Sequence, residues 1–226
     1  MSVDENLRRV CERLSEAATR AGRDPAEITL VAVSKMHSIE AIREAAYAGV
    51  IAFGENKIQE AEEKIAELGR ENLKWHLIGH LQSNKARKAV QLFDVIESLD
   101  SLELAQRLER ICIEEARDRL DVFIQVDLGG EDTKSGITAD DLPPLIDFLS
   151  TCERLKLKGL MTLPPFFHDS EDARPFFIRL RELRDKLLPK GALSMGMSND
   201  FEVAIEEGAT HVRVGTAIFG RRPPRT

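Results

Sequence analysis

The stretch ITLVAVSKMHS, residues 28–38, decides the fold. Leu30, Val31, Ala32 and Val33 make a short apolar run with no polar alternation. Such a run reads as a parallel strand covered on both faces. The residues after the run matter as much. An open doubly wound sheet that binds nucleotides places a glycine-rich turn after its first strand. Here the chain continues SKMHSIE, with neither G-x-G-x-x-G nor a Walker sequence. The strand instead ends near Lys35, whose amine either snorkels to solvent or meets a ligand carbonyl at the strand's C-terminal end.

Working outward, seven further stretches read as strands: Ile51–Glu55, Lys74–Gly79, Asp94–Leu99, Val122–Leu128, Leu157–Leu163, Ala192–Ser198 and His211–Val214. Amphipathic stretches separate them. Ser38–Gly49 has a serine cap and a glycine stop, and Ser101–Leu120 puts Leu104, Ala105, Leu108, Ile111 and Cys112 on one face. A helix is also expected to start near Asn199 and stop at Gly208. One more helix precedes the first strand, with Leu7, Val10, Cys11, Leu14, Ala17, Ala18 and Ala21 at helical spacing before Gly22. Eight strands alternating with helices, after one extra N-terminal helix, predict an α/β fold: a (β/α)8 TIM barrel. No linker or composition shift divides residues 1–226, so a single domain is expected.

Composition narrows the function. Apolar residues make up 42% and charged residues 31%, which is globular rather than disordered. The net charge of −7 argues against nucleic acid or an anionic membrane as main partner. Basic clusters at Asn84–Lys88 and Gly220–Arg225 read as solvated surface. Cys11, Cys112 and Cys152 are odd in number and far apart, which fits a reducing compartment without a disulfide framework. The first ten residues lack an apolar signal core and no segment is apolar enough to span a bilayer, so a cytoplasmic location is expected.

A barrel gathers its chemistry at the C-terminal ends of its strands. Those ends carry Lys35, then Glu55 and Asn56, then His80, then Asp127, Glu131 and Lys134, and finally SMGMSND and RVGT. Barrels bind phosphate in the loops after strands seven and eight. Ser198 offers a hydroxyl there, Gly215 permits close backbone approach, and Thr216 adds a donor. Ser198 and Asn199 as plain helix caps are the competing reading. A lysine beside an apolar wall, with a phosphate cradle, suits either pyridoxal phosphate or the sugar phosphate of a Schiff-base lysine aldolase. Alternation turns Arg213 into the barrel interior, where its charge needs a ligand or a buried ion partner. His76 and His80 sit four apart but lack the glutamate of H-E-x-x-H, so no metal site is expected. His168 reads as a surface residue, and Met161, Met195 and Met197 as barrel filler.

The ordered stretches AVSK, FGENKIQE, WHLIGHLQSNK, ESLDS, EDTKSG, GLMTL, SMGMSND and VRVGTAIFG run from residue 32 to residue 220. On these the chain resembles the pyridoxal phosphate homeostasis protein family, single-domain relatives of the alanine racemase barrel. The resemblance implies a Schiff base between Lys35 and pyridoxal 5′-phosphate. It implies that Ser198, Gly215 and Thr216 hold the phosphate. Arg213 would lie near the pyridine nitrogen or the phosphate, with Asn56 a polar neighbour of the ring. It further implies a role in vitamin B6 and amino-acid homeostasis without established catalysis; an amino-acid racemase is the alternative. The opposite base of alanine racemase is a tyrosine from a second domain. Here Tyr47, the one tyrosine, is expected in the outer layer, leaving His80, Glu131 or Lys134 to stand in. A monomer or weak homo-oligomer is expected. Two departures stand out. Met36, His37 and Ser38 replace the family's threonine and proline, and Asp127 replaces an asparagine, adding a carboxylate near the expected site.

Overall fold

The computed structural model describes residues 2–130 and 135–220. Glu131 and Lys134, and most of the basic Gly220–Arg225 cluster, lie outside the described residues. Helix α1 (Val3–Arg20) leads into β1 (Thr29–Val33), α2 (Ile39–Tyr47), β2 (Ala52–Glu55), α3 (Ile58–Leu68) and β3 (Lys74–Leu77). Next come α4 (Ala86–Leu92), β4 (Val95–Leu99), α5 (Leu102–Glu114), β5 (Leu120–Gln125), α6 (Leu142–Thr151) and β6 (Leu155–Met161). The chain finishes with α7 (Arg174–Leu187), β7 (Ala192–Met197), α8 (Phe201–Glu206), β8 (His211–Val214) and α9 (Thr216–Phe219). The eight strands form one closed barrel in chain order. Every pairing is parallel, and Thr29 to Ala32 of β1 pair with His211 to Val214 of β8 to close the ring. The α/β barrel with an extra N-terminal helix is therefore the observed fold.

Local chemistry explains the element ends. Ser2 and Glu5 form a reciprocal capping box on α1, Ser38 caps α2 and Ser101 caps α5. The expected helix from Ser101 to Leu120 stops early, at Glu114. Ala116 takes a positive φ of 50°, and the Arg117 amide bonds back to the Cys112 carbonyl at 2.8 Å, the signature of a Schellman-type end. Leu120 thereby becomes the first residue of β5. The helix expected from Asn199 begins two residues later, at Phe201. Cys11, placed by periodicity on the apolar face of α1, is exposed.

α1 does not belong to the alternating ring. Its buried face (Leu7, Val10, Leu14, Ala17, Ala18) packs across α2, α8 and α9. Asn6 donates to the Ile218 carbonyl at 2.9 Å, and Arg13 pairs with Glu202 at 2.6 Å. Among the described residues, no helix is long and apolar enough to cross a membrane.

Alternation along β8 sends Val212 and Val214 into the layer between barrel and helices. His211 and Arg213 turn inward. The barrel interior is divided. One part is a small apolar group of Val95, Phe123 and Met161. The other is a polar chain. His76 meets Glu97 at 2.6 Å, Ser194 donates to the other oxygen of Glu97 at 2.6 Å, and Arg213 donates to Ser194 and to the Thr162 carbonyl. Glu97 lies 3.6 Å from Arg213, so the buried ion partner expected for this arginine is present. Burial alone would push the Glu97 carboxyl up. The hydrogen bond and charge of His76, with the charge of Arg213, outweigh burial and hold it below its ordinary value.

Burial, aided by the charges of His76, Lys158 and Arg213 and opposed by Glu97, lowers the pKa of His211 to about 4. The unfolded value is about 6.5, so between these limits the unfolded chain takes up a proton that the fold resists. The stability that neutral His211 contributes is whole above about pH 6.5 and falls away as pH drops toward 4, by about 3 kcal/mol at most. Urea melts of a His211→Gln variant should show a flatter loss of stability across this window. An unchanged pH profile would refute the assignment.

Candidate functional site

A cavity of about 410 Å³ opens at the C-terminal mouth of the barrel. Lys35, Asn56, Ser198, Arg213, Gly215 and Thr216, the six residues expected from sequence, all line it. They reach it from the turns after β1, β2 and β7, from β8, and from the start of α9. The cavity also takes in Met197, Asp200 and Phe166, which the sequence does not assign to it. Met197 is therefore not the filler expected; Met161 is, in the interior apolar group, while Met195 is buried in the larger core shared with the helices.

Lys35 sits in a tight turn just past β1. The His37 amide bonds to the Ser34 carbonyl at 3.0 Å, and Met36 takes a left-handed φ of 64°. The Ser34 hydroxyl donates to Glu55 at 2.6 Å, which ties this turn to the end of β2. The His37 ring stacks on Phe219 of α9, 4.9 Å between centroids. Asn56, next to Glu55, is hemmed in by the loop after β3. A Cβ at Gly79 would stand 2.4 Å from the Asn56 carbonyl oxygen, so only glycine lets the two loops pass.

Ser198 does not cap α8, the next helix in the chain. Its hydroxyl oxygen accepts from the Gly215 amide at 3.2 Å and the Ala217 amide at 3.4 Å, at the start of α9. The first amides of a helix have no partner within it, and here two of them converge on a side chain from the neighbouring loop. With both lone pairs so used, the hydroxyl retains its O–H for a ligand. α8 has six residues and α9 four, so their dipoles are small, and what this spot offers an anion is hydrogen-bond donors.

Arg213 is almost fully buried beneath the cavity. Burial lowers its pKa, with Glu97 and Asp200 opposing, and a guanidinium remains charged throughout. Asp200 accepts from the Met197 amide at 2.6 Å, and burial raises its pKa. Sequence reasoning misses Asp200 because N-D after a strand reads as a helix cap.

The remaining expectations resolve by partner. His76 pairs with Glu97 inside the barrel, whereas His80 is half exposed and pairs with Asp100 at 3.0 Å, so the two rings do not converge. His168 is exposed in the loop after β6. Tyr47 is 86% exposed on α2 and lies away from the cavity. The added carboxylate of Asp127 accepts from the amides of Gly129 and Gly130, at 3.0 and 3.1 Å, and does not line the cavity.

Known proteins share this barrel and much of its sequence. The family described as "Alanine racemase, N-terminal domain" matches residues 5–223. A pyridoxal phosphate homeostasis protein of Pseudomonas aeruginosa is 46% identical, with 98% of this chain and 96% of that protein covered. The protein of the same name from Aquifex aeolicus is 43% identical, with 98% and 99% covered. PipY of Synechococcus elongatus, solved with pyridoxal phosphate bound, superposes with a TM-score of 0.81 at 43% identity, covering 93% of this chain and 100% of PipY. Near-complete coverage at these identities, on the alanine racemase type of barrel, means that the chain belongs to the pyridoxal phosphate homeostasis protein family.

Proposed function

We propose that this chain, as a single domain over residues 1–226, binds pyridoxal 5′-phosphate as a Schiff base on Lys35 and serves its homeostasis without turning over amino acids. One observation carries the reading: six residues scattered over 182 positions of sequence line a single cavity at the barrel mouth. The donor set fits the cofactor. A lysine amine stands opposite a hydroxyl held against backbone amides, with a permanent cation beneath. The family's name and the pyridoxal phosphate bound to PipY support the same ligand. Family membership gives no support to the sugar-phosphate aldolase.

When bound, pyridoxal phosphate supplies an aldehyde that condenses with a lysine amine. The chain's own residues do the rest. Ser198, Gly215 and Thr216 hold the phosphate. Arg213 is anchored on Thr162 and Ser194 in the barrel interior rather than at Ser198, which supports a place beside the ring over one at the phosphate. Its fixed charge disfavours a second positive charge beside it and would keep the nitrogen of a ring bound there unprotonated. Asn56 contributes a polar contact from the end of β2. Val33, Ile78 and Leu163 give the cavity its apolar wall.

Racemisation needs one base on each face of the reacting carbon. Lys35 can serve one face. Tyr47 lies away from the cavity, and His80 is engaged with Asp100. Neither therefore supplies the second base, and a positioned acid–base group is worth about 10²–10⁴ in rate. A racemase remains the second reading because Asp200 is a buried carboxyl lining the cavity.

Borohydride reduction of the loaded protein, with peptide mapping of the product, should label Lys35. Lys35→Ala should lose the visible absorbance band while keeping its circular dichroism, and label on another lysine would sink the assignment. Ser198→Ala removes a donor to a charged group, worth roughly 1.5–3 kcal/mol, so titration of the apo-protein should show binding weaker by about tenfold or more. Unchanged affinity would exclude the anion cradle. Chiral assays with alanine and other amino acids should show at most slow conversion. Turnover near about 10 per second that vanishes in Asp200→Asn would establish the racemase instead.

A further inference from the structure

The turn that carries Lys35 is strained, and something outside the cavity holds it. Lys35 and Met36 are its two central residues, between Ser34 and His37. Met36 adopts a left-handed φ of 64°, a conformation that turns reserve for glycine or asparagine. A long side chain there is disfavoured and persists only where the surroundings over-determine the backbone.

Those surroundings come from α3. Lys64 donates to the Ser34 carbonyl at 2.7 Å, on the peptide just before Lys35. Glu60 accepts from the Met36 amide, on the peptide just after it. Glu60 and Lys64 are one helical turn apart and bond to each other at 2.6 Å. Lys64 also donates to Glu55 at 2.7 Å, and Glu55 holds the Ser34 hydroxyl. Both peptides flanking the Lys35 Cα are thus clamped by one face of one helix. Lys64 is only 4% exposed. A buried ammonium is costly unless fully hydrogen-bonded, and here three oxygens satisfy it. This is an unusual use of a lysine on an amphipathic helix, where solvent is the ordinary destination. Neither Glu60 nor Lys64 lines the cavity.

We infer that Glu60 and Lys64 are positioning residues that pin the strained turn and so aim the Lys35 amine into the cavity. The inference rests on the reading of Lys35 as the pyridoxal phosphate lysine. It assigns α3 a function in cofactor capture, acting through the backbone on either side of Lys35.

Glu60 is the residue to vary, because its side chain is 25% exposed. Removing Lys64 would leave the Glu55 carboxylate buried without its cation and could unfold the barrel. The measurement is the rate at which borohydride-trappable adduct forms on Lys35 when apo-protein is mixed with pyridoxal phosphate. Thermal midpoints of the apo-proteins serve as a check on folding. Glu60→Ala should slow adduct formation about tenfold or more through misplacement of the amine. Glu60→Gln keeps an oxygen for the Met36 amide and should recover most of the rate. Met36→Gly combined with Glu60→Ala should recover it too, since glycine takes a positive φ without a clamp. Glu60→Gln as slow as Glu60→Ala would show an effect of charge and overturn the inference. Wild-type adduct with unaltered Glu60→Ala kinetics would overturn it alone. Absence of adduct in the wild type would overturn the pyridoxal phosphate reading and this inference with it.

Discussion

Strands β1 and β8 pair in parallel through Thr29–Ala32 and His211–Val214, and that closure sets every other relation at the barrel mouth. It places the turn after β1 beside the start of α9. Gly215 makes the approach possible, since a Cβ there would come within 3.2 Å of the Val33 carbonyl and 3.3 Å of its Cβ. A side chain at 215 would require the end of β1 to give by a few tenths of an ångström at the seam beside Lys35. The stacking of His37 on Phe219 fastens the same seam from outside.

The barrel interior faces a different constraint. A guanidinium fully removed from water requires compensation, and Arg213 finds it in Glu97, Ser194 and the Thr162 carbonyl. His76 satisfies the other oxygen of Glu97. Partners drawn from β3, β4, β7 and β8 and from the end of β6 are therefore joined through one buried charge. Val95, Phe123 and Met161 fill the apolar part of the interior, and Leu163, which lines the cavity, packs against them.

The alternation of short apolar runs with amphipathic stretches makes the strands readable, because parallel strands covered on both faces leave an unambiguous signal. The six cavity residues are readable because barrel chemistry gathers at strand ends and because the ordered motifs resemble a known family. Tertiary geometry sets the rest. The partner of Ser198 is α9, not its own helix, and no spacing along the chain encodes that contact. Glu60 and Lys64 draw no notice in the sequence, where an i, i+4 pair carries no sign of burial; α3 brings Lys64 onto Glu55 of β2 and the Ser34 carbonyl in the turn after β1. The end of α5 escapes because a left-handed alanine at 116 does what glycine would have announced.

The docking of α1 across α8 and α9 ties the first helix to the last ones. On the ribosome, α1 emerges roughly 180 residues before the elements that cover its apolar face. At about 5–20 residues per second, that stripe waits about 10–40 s for α8 and α9. The two halves of the cavity share the delay, with Lys35 made early and Ser198 to Thr216 made late. A nascent chain thus presents Lys35 before the other half of its cavity exists, along with a hydrophobic stripe for chaperones to shield.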